Sequence, residues 1–230
     1  MNSYSIYLVR HGESIMNTRQ NPEGIPDPYV HLTETGIAQA ESTGKFFYDL
    51  FGSALLEMAP CQLFMYASPF KRTRQTANII ANQIGLTTDC IREDFRLREQ
   101  SFGLLDLVPK EKWRKEFPDA MGMYDKLLEY EGRFYAAYPG GESFAQVCDR
   151  LSSFKETIFR RMYKHKVKRI IAVSHGLAIR AFVIAWMGYE PEWLSRTKNP
   201  HNCSVHLIEK KEGQKPTYQG EIFVPKGAKR

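Results

Sequence analysis

The sequence has little cysteine and no cysteine motif. Its four cysteines, Cys61, Cys90, Cys148 and Cys203, are far apart in the chain. Since no Cys-x-x-Cys pair occurs, neither a zinc ribbon nor a dithiol redox site is indicated. Each cysteine lies in apolar sequence typical of a helix or strand, so we expect reduced core residues of a cytosolic protein.

Long apolar runs are missing as well. The longest, near residues 177–186, is interrupted by Arg180 and is too short to span a bilayer. The first residues lack the basic, apolar and small-residue order of a signal peptide. We therefore expect a cytoplasmic protein with no membrane partner. Neither a linker composition nor an internal repeat divides the chain, which predicts one domain over residues 1–230.

The chain is basic, but its charge pattern does not name a partner. The net charge is +6 and the pI is about 9.1, a field that attracts phosphorylated metabolites, nucleic acids and acidic membranes alike. The basic runs at residues 164–169 and 226–230 are not interleaved with the aromatics of a single-stranded nucleic-acid surface. We interpret them as a solvated helix end and a frayed terminus, and we expect no nucleic-acid partner.

Strand and helix patterns alternate along the chain. Short, nearly continuous apolar runs with β-branched residues are typical of strands buried on both faces. Amphipathic helix patterns lie between them. This alternation predicts an α/β fold, a three-layer sandwich with a mostly parallel central sheet and helices on both faces. The predicted strands are residues 5–9, 62–66, 169–173 and, nearer an edge, 204–209, with a further strand near residues 87–92.

Capping residues mark the starts of three helices. Thr33 is expected to cap the first, with Ile37 on its inner face. Ser68 followed by Pro69 predicts a hydroxyl cap with proline in the first helical position. Ser143 is expected to cap a third, longer helix.

Two segments interrupt the alternation. Residues 21–30 contain three prolines and are expected to form a loop. Residues 101–141 are rich in aromatic and basic residues and predict a helical cap over the pocket that sets substrate choice. Most of its aromatics are interpreted as the core of that cap. Arg133 is a candidate for reading a second charge on the substrate.

Two predicted strands end in the same pattern. The chain reads Arg-His-Gly at residues 10–12 and Ser-His-Gly at residues 174–176, and each leads into a predicted helix. Ligands of open α/β sheets bind beyond the carboxyl ends of the strands, and a helix N-terminus there offers free N–H groups to an anion. We therefore predict functional roles for His11 and His175. The remaining histidines, His31, His165, His201 and His206, are interpreted as structural.

Arginines accompany these histidines. Arg10 precedes His11, and Arg72 shares one face of the helix after Ser68 with Thr76, whereas Arg74 points away. The planar guanidinium fork matches two phosphate oxygens at once. Together with His175, the two arginines predict a cage for a phosphoryl group in transfer.

Further segments complete an ordered set of motifs. They are Arg10-His11-Gly12-Glu13-Ser14 with Asn17, Leu32-Thr33 with Gly36 and Gln39-Ala40, Ser68-Pro69-Phe70-Lys71-Arg72 with Thr76-Ala77, residues 97–103, Pro139-Gly140-Gly141-Glu142-Ser143, and Ser174-His175-Gly176. In order and spacing this set resembles the histidine phosphatase superfamily, in its phosphoglycerate mutase-like branch. The resemblance covers almost the whole chain and is far more specific than a lone Arg-His-Gly.

The resemblance implies phosphoryl transfer through a phosphohistidine intermediate, and we expect neither a metal nor another cofactor. His11 is then the nucleophile, while Arg10, Arg72 and His175 hold the oxygens, and their positive field keeps His11 neutral. The expected partner is a small-molecule phosphate ester, and a homodimer is left open. The expected substrate contacts are Gly12, Ser14, Asn17 and Gly176.

Three glutamates compete for the role of general acid. Glu13 suits the first turn of a helix, where the helix dipole favours an acid. Glu142 precedes the cap Ser143 and fits a loop or helix start. Glu99 follows a predicted strand at the entry to the cap and matches the family's acid position, so we choose Glu99.

The sequence departs from the cofactor-dependent phosphoglycerate mutases of this superfamily. Leu177 stands where they usually carry Asn, Met16 replaces a tryptophan, and Phe102 replaces a tyrosine. The cap also lacks paired arginines that would grip a carboxylate. These differences favour a phosphatase, and a mutase remains the alternative.

Parts of this pattern also fit two other classes of protein. His11, His175 and a carboxylate could hold a catalytic zinc ion, but the adjacent arginines would repel a cation. The chain could also be a phosphate-binding scaffold without catalysis. That alternative is disfavoured because the complete set of reactive residues is present.

Overall fold

The computed structural model describes residues 3–18, 25–52, 63–87, 90–108 and 110–230. Its strands are β1 (Tyr4–Arg10), β2 (Leu63–Ala67), β3 (Ile91–Glu93), β4 (Arg169–Ser174), β5 (Val205–Lys210) and β6 (Thr217–Phe223). They form one sheet in the order β3-β2-β4-β1-β5-β6. The first four are parallel, whereas β5 runs antiparallel to β1 and β6 antiparallel to β5.

Helices cover both faces of the sheet. They are α1 (Glu34–Phe51), α2 (Lys71–Gln83), α3 (Trp113–Glu116), α4 (Pro118–Tyr135), α5 (Phe144–His165), α6 (Gly176–Met187) and α7 (Trp193–Arg196). On one face α1 and α2 bury Phe47 and Ile80 against the strands, and on the other α5 and α6 bury Phe154 and Phe182. The predicted α/β fold with a mostly parallel sheet is confirmed.

The register of β1 against β4 places the site. Arg10 lies opposite Ser174, the last residue of β4. The residues that follow, His11 and His175, therefore leave the sheet at the same edge. Because both strands are parallel and central, the pocket forms at their carboxyl ends.

The helix predicted with Ser68 as its cap and Pro69 as its first residue begins two residues later. Its first residue is Lys71 and its cap is Phe70. Ser68 instead continues the sheet, since its N–H donates to the carbonyl of Val173 at 3.0 Å. The hydroxyl of Ser68 is thereby left for a neighbouring histidine.

Other local predictions also need correction. Residues 15–17 form a single 3-10 turn, not the predicted helix after the first His-Gly pair. Ile37 is 37% exposed, because α1 turns Gly36, Ala40 and Gly44 inward. β6 was not predicted, and it makes β5 the second strand from the edge. Cys61, Gln62, residues 21–24 and residues 88–89 of the predicted elements lie outside the described residues.

The excursion at 101–141 carries its own small core. Leu105, Trp113, Met121, Tyr124 and Ala136 are buried together in it, with Phe102 and Tyr138 packed against them. This agrees with the interpretation that most cap aromatics pack against one another. Within the described residues, the helices are too short or too polar to cross a membrane.

Candidate active site

The two predicted histidines meet at the carboxyl edge of the sheet. Their ring centroids are 5.2 Å apart in an edge-to-face arrangement. Both are buried, His11 with 5% and His175 with 0% of its surface exposed. The structure thus brings together the two residues that the repeated pattern singled out.

Hydrogen bonding fixes the tautomer of His11. Its Nδ1 lies 2.7 Å from the carbonyl oxygen of Gly12, and a carbonyl only accepts, so Nδ1 carries the proton. The lone pair is then on Nε2. Burial, followed by the charges of Arg72 and Arg10, holds the pKa of His11 well below its ordinary value. His11 is therefore a neutral imidazole with a free nitrogen.

His175 is also neutral, with the opposite tautomer. An Nη2 of Arg72 lies 3.2 Å from its Nδ1, and since guanidinium only donates, Nδ1 accepts. Its Nε2–H is left to donate to the Ser68 hydroxyl at 2.9 Å. Burial and then Arg72 lower the pKa of His175. In this arrangement His175 orients Arg72 and carries no charge of its own.

Arg10 has a hydrogen-bond donor that no described residue uses. Its Nη1 donates to the carbonyl of Pro200 at 2.6 Å, which fixes the side chain. Its buried Nε has no hydrogen-bond partner among the described residues. A buried guanidinium donor without an acceptor is costly, and an anion would satisfy it.

Arg72 is held by an acid that the sequence did not single out. Asp27 accepts from both Nη1 and Nη2, at 2.8 and 3.1 Å. Its carbonyl also accepts from Nη1 at 2.8 Å. A carboxylate of the protein thus occupies the fork predicted to grip phosphate.

Glu99 lies at the start of α6, beside its cap His175. Its carboxyl accepts from the N–H groups of Leu177 and Ala178, at 3.3 and 3.1 Å. The helix N-terminus predicted to bind a ligand anion therefore holds the protein's own acid. Burial nevertheless raises the pKa of Glu99, with these hydrogen bonds opposing the shift. A raised pKa suits a proton donor.

The two glycines of the His-Gly pairs are packed against protein. The N–H of Gly12 donates to the Thr76 hydroxyl at 3.1 Å, and a Cβ at Gly12 would collide with the backbone of Gly36. A Cβ on Gly176 would approach the Asn199 side chain at 3.3 Å. Close backbone approach thus explains Gly12, whereas at Gly176 the contact is a tight one with a side chain.

Ser14 and Asn17 form the turn below His11. The Asn17 Oδ1 accepts from the N–H and the hydroxyl of Ser14, both at 3.0 Å. Asn202 approaches the same oxygen at 3.5 Å. The side-chain oxygen of Asn17 is thus used within the protein's own turn.

The remaining candidates occupy the rim and the periphery. Arg133 is exposed on the last turn of α4, after a kink at Gly132. Its charge helps burial to lower the pKa of Arg180 on α6 to about 10. Glu13 is bound by the Thr33 hydroxyl at 3.0 Å, and Glu142 lies between two arginines.

Sequence reasoning missed the segment before β5. Asn202 donates from Nδ2 to the carbonyl of His11 at 3.2 Å, and the N–H of Cys203 donates to the carbonyl of Arg10 at 3.0 Å. No motif marks these residues, because they act through ordinary backbone contacts. Asp27 was likewise hidden in a proline-rich loop. In the part of the chain that the structure describes, no three metal-ligating side chains come together.

The fold and this site define a class of protein, an α/β protein with two neutral histidines between buried arginines at the carboxyl edge of the sheet. The model of the histidine phosphatase superfamily, branch 1, matches residues 6–219. The chain therefore belongs to the histidine phosphatase superfamily, which is a catalytic family of phosphatases and mutases.

Individual relatives agree with this assignment. The chain is 32% identical over 217 residues to the phosphoglycerate mutase-like protein AT74 of Arabidopsis thaliana, covering 90% of this chain and 65% of that protein. It thus spans slightly less than two thirds of that relative's length.

Solved structures share the fold. A mycobacterial glucosyl-3-phosphoglycerate phosphatase in complex with VO3 has a TM-score of 0.69 at 19% identity, over 96% of this chain and 99% of that one. A phosphoglycerate mutase from Bacillus anthracis has a TM-score of 0.67 at 23% identity, over 95% and 92%. At these identities the likeness concerns the fold, which is common to both activities.

Proposed function

We propose that the protein is a phosphomonoesterase that acts on a small phosphorylated substrate through a phosphohistidine at His11. The observation that carries this proposal is the unpartnered, buried Nε of Arg10, directly before a neutral histidine whose Nε2 holds a lone pair. A tetrahedral anion in this space would satisfy the donor and meet the nucleophile.

The chemistry follows from the residues in place. Nε2 of His11 attacks phosphorus in line, and the bond to the leaving oxygen breaks. Arg10 and Arg72 neutralise the phosphoryl oxygens, and protonated Glu99 gives its proton to the leaving alkoxide. Water then attacks the phosphohistidine and passes a proton to Glu99, which releases inorganic phosphate and restores neutral His11.

The cap supports a substrate that is small and partly apolar. Phe102 lies at its inner edge, packed against Trp113 and Tyr138. Arg133 is exposed and its charge acts on Arg180 in α6, and we place a second negative group of the substrate against it. Arg133→Ala should lower selectivity among phosphate esters and spare activity on a plain aryl phosphate.

An assay of the purified chain on a panel of phosphate esters tests the proposal. The panel includes 3-phosphoglycerate, with and without the bisphosphate. Release of inorganic phosphate supports the proposal. So does an acid-labile, alkali-stable phosphate label that appears on wild type but not on His11→Asn. Isomerisation of phosphoglycerate without phosphate release would establish the mutase alternative. Absence of labelling with retained phosphate binding would indicate a scaffold.

A further inference from the structure

A largely buried ion pair binds the backbone around Glu99 and is not used in the chemistry above. Arg150 donates from Nε and Nη2 to the two carboxylate oxygens of Glu142, at 2.9 and 3.1 Å. Their side chains are 11% and 14% exposed. The bidentate contact fixes the orientation of the two side chains relative to each other. Backbone groups that bind this pair are therefore held in a defined position.

The pair binds the backbone on both sides of the acid. Nη2 of Arg150 donates to the carbonyl of Glu99 at 3.1 Å, and Nη1 donates to the carbonyl of Arg96. Glu142 accepts from the N–H of Ser101 at 3.0 Å. Residues 96–101 have no regular secondary structure beyond one 3-10 turn, so these bonds, together with that from the Ser174 hydroxyl to the carbonyl of Leu97, help to set the course of the chain there.

We propose that Glu142 and Arg150 are positioning residues that aim the Glu99 carboxyl at the oxygen of the leaving group. The proposal rests on the proposed function, because it assumes that Glu99 is the proton donor. A general acid must come within hydrogen-bond distance of the atom it protonates, and a misplacement of about 1 Å can cost 10²-fold in rate. The N–H groups of α6 hold one end of Glu99, and the Arg150–Glu142 pair holds the other.

The leaving group distinguishes aiming from general support of the fold. An alkyl phosphate departs as a strongly basic alkoxide and needs the proton from Glu99. A p-nitrophenyl phosphate departs as a stable anion and needs it far less. A misplaced Glu99 carboxyl should therefore slow the hydrolysis of alkyl esters selectively, whereas a disrupted fold should slow the hydrolysis of both esters.

The variants Glu142→Gln and Arg150→Lys test this inference. The second keeps the positive charge that contributes to the low pKa of His175 and removes only the planar fork. We expect kcat/KM to fall roughly 10²-fold for an alkyl phosphate and only a few-fold for p-nitrophenyl phosphate. Arg96→Lys is the matched control, since the Arg96 side chain binds Asp94 beside this segment and Thr157 on α5.

Equal losses for both esters in folded Glu142→Gln or Arg150→Lys would overturn the inference, as would unchanged alkyl ester rates. Circular dichroism checks each variant, and either one alone suffices for the comparison. Failure of the proposed function would look different. It would appear already in wild type, as missing phosphate release, while rates of His11 labelling by the two esters would still report the aim of Glu99.

Discussion

At the scale of single residues, the two histidines show how hydrogen bonds set the tautomer, and through it which ring we propose as the nucleophile. The Gly12 carbonyl places the proton of His11 on Nδ1, whereas Arg72 and Ser68 place that of His175 on Nε2. Of these two histidines, only His11 therefore has a lone pair on Nε2. The assignment of roles to two similar His-Gly patterns thus depends on their neighbours, which no single motif reveals.

The shifts in the pKa values of His11 and Glu99 predict an activity that increases toward acidic pH. The pKa of His11 lies below 6.5, so His11 stays neutral as the pH falls toward 6.5. The pKa of Glu99 lies above 4.5, so its protonated, donating form grows over the same change. We expect kcat/KM for an alkyl phosphate to rise from about pH 8 to about pH 6. Glu99→Gln should lower it roughly 10²- to 10⁴-fold and flatten this limb.

Asp27 binds Arg72, the arginine that we propose holds phosphate. Its carboxylate fills the guanidinium fork and its side chain is 26% exposed, so solvent screens the pair only in part. We expect Asp27→Asn to tighten competitive inhibition by inorganic phosphate about 5- to 10-fold, with Asp49→Asn on the exposed side of α1 as control. Weaker inhibition would mean instead that Asp27 holds Arg72 in its working orientation.

The site residues differ in how far sequence predicts them. Strand ends and flanking glycines indicate His11 and His175, because parallel strands bring their ends to one edge. The contacts of Asp27 and Asn202 come from loops whose path depends on the finished fold, so composition and spacing carry no signal for them. The resemblance supplied Glu99, whose contact with α6 joins segments 78 residues apart.

At the scale of elements, a backbone crossing holds the nucleophile loop against α1. A Cβ on Gly36 would collide with the carbonyl of Glu13. We expect Gly36→Ala to lower the free energy of unfolding by about 3 kcal/mol, as overpacking without room to relax does. Gly122→Ala in α4 meets nothing within 4 Å and should raise it by about 0.5–1 kcal/mol. Urea unfolding of both measures the difference, and equal effects would contradict the crossing.

Periodicity predicts the elements that have a strong pattern. The strands β1 and β4 and the helix α5 follow their apolar runs, and the Ser143 cap is found with its full capping box. The start of α2 and the placement of Ile37 on the inner face of α1 were wrong, because tertiary contacts of Ser68 and Gly36 override the local signal, whereas Ala40, Gly44 and Phe47 are buried as predicted. β6 was missed because it is an edge strand of half-exposed residues without an apolar run.

At the scale of the whole molecule, the buried histidines couple the active site to stability. Each has a folded pKa below 6.5, so below that pH the unfolded chain binds protons that the folded chain does not. Stability then rises with pH through this range and is lost as the pH falls. Glu99, with its raised pKa, changes stability with pH in the opposite direction, but its single contribution is opposed by those of the two histidines.

The double variant His11→Asn, His175→Asn tests this coupling. Asparagine can keep the donor to Gly12 and the acceptor for Arg72 but does not titrate. We expect wild type to lose up to about 1.4 kcal/mol more per pH unit for each histidine below about pH 6.5. Urea unfolding across the range gives the slope, with exposed His165→Asn as control. Identical slopes in wild type and the double variant would show that the pocket takes up these protons when folded, and the nucleophile would then not be neutral.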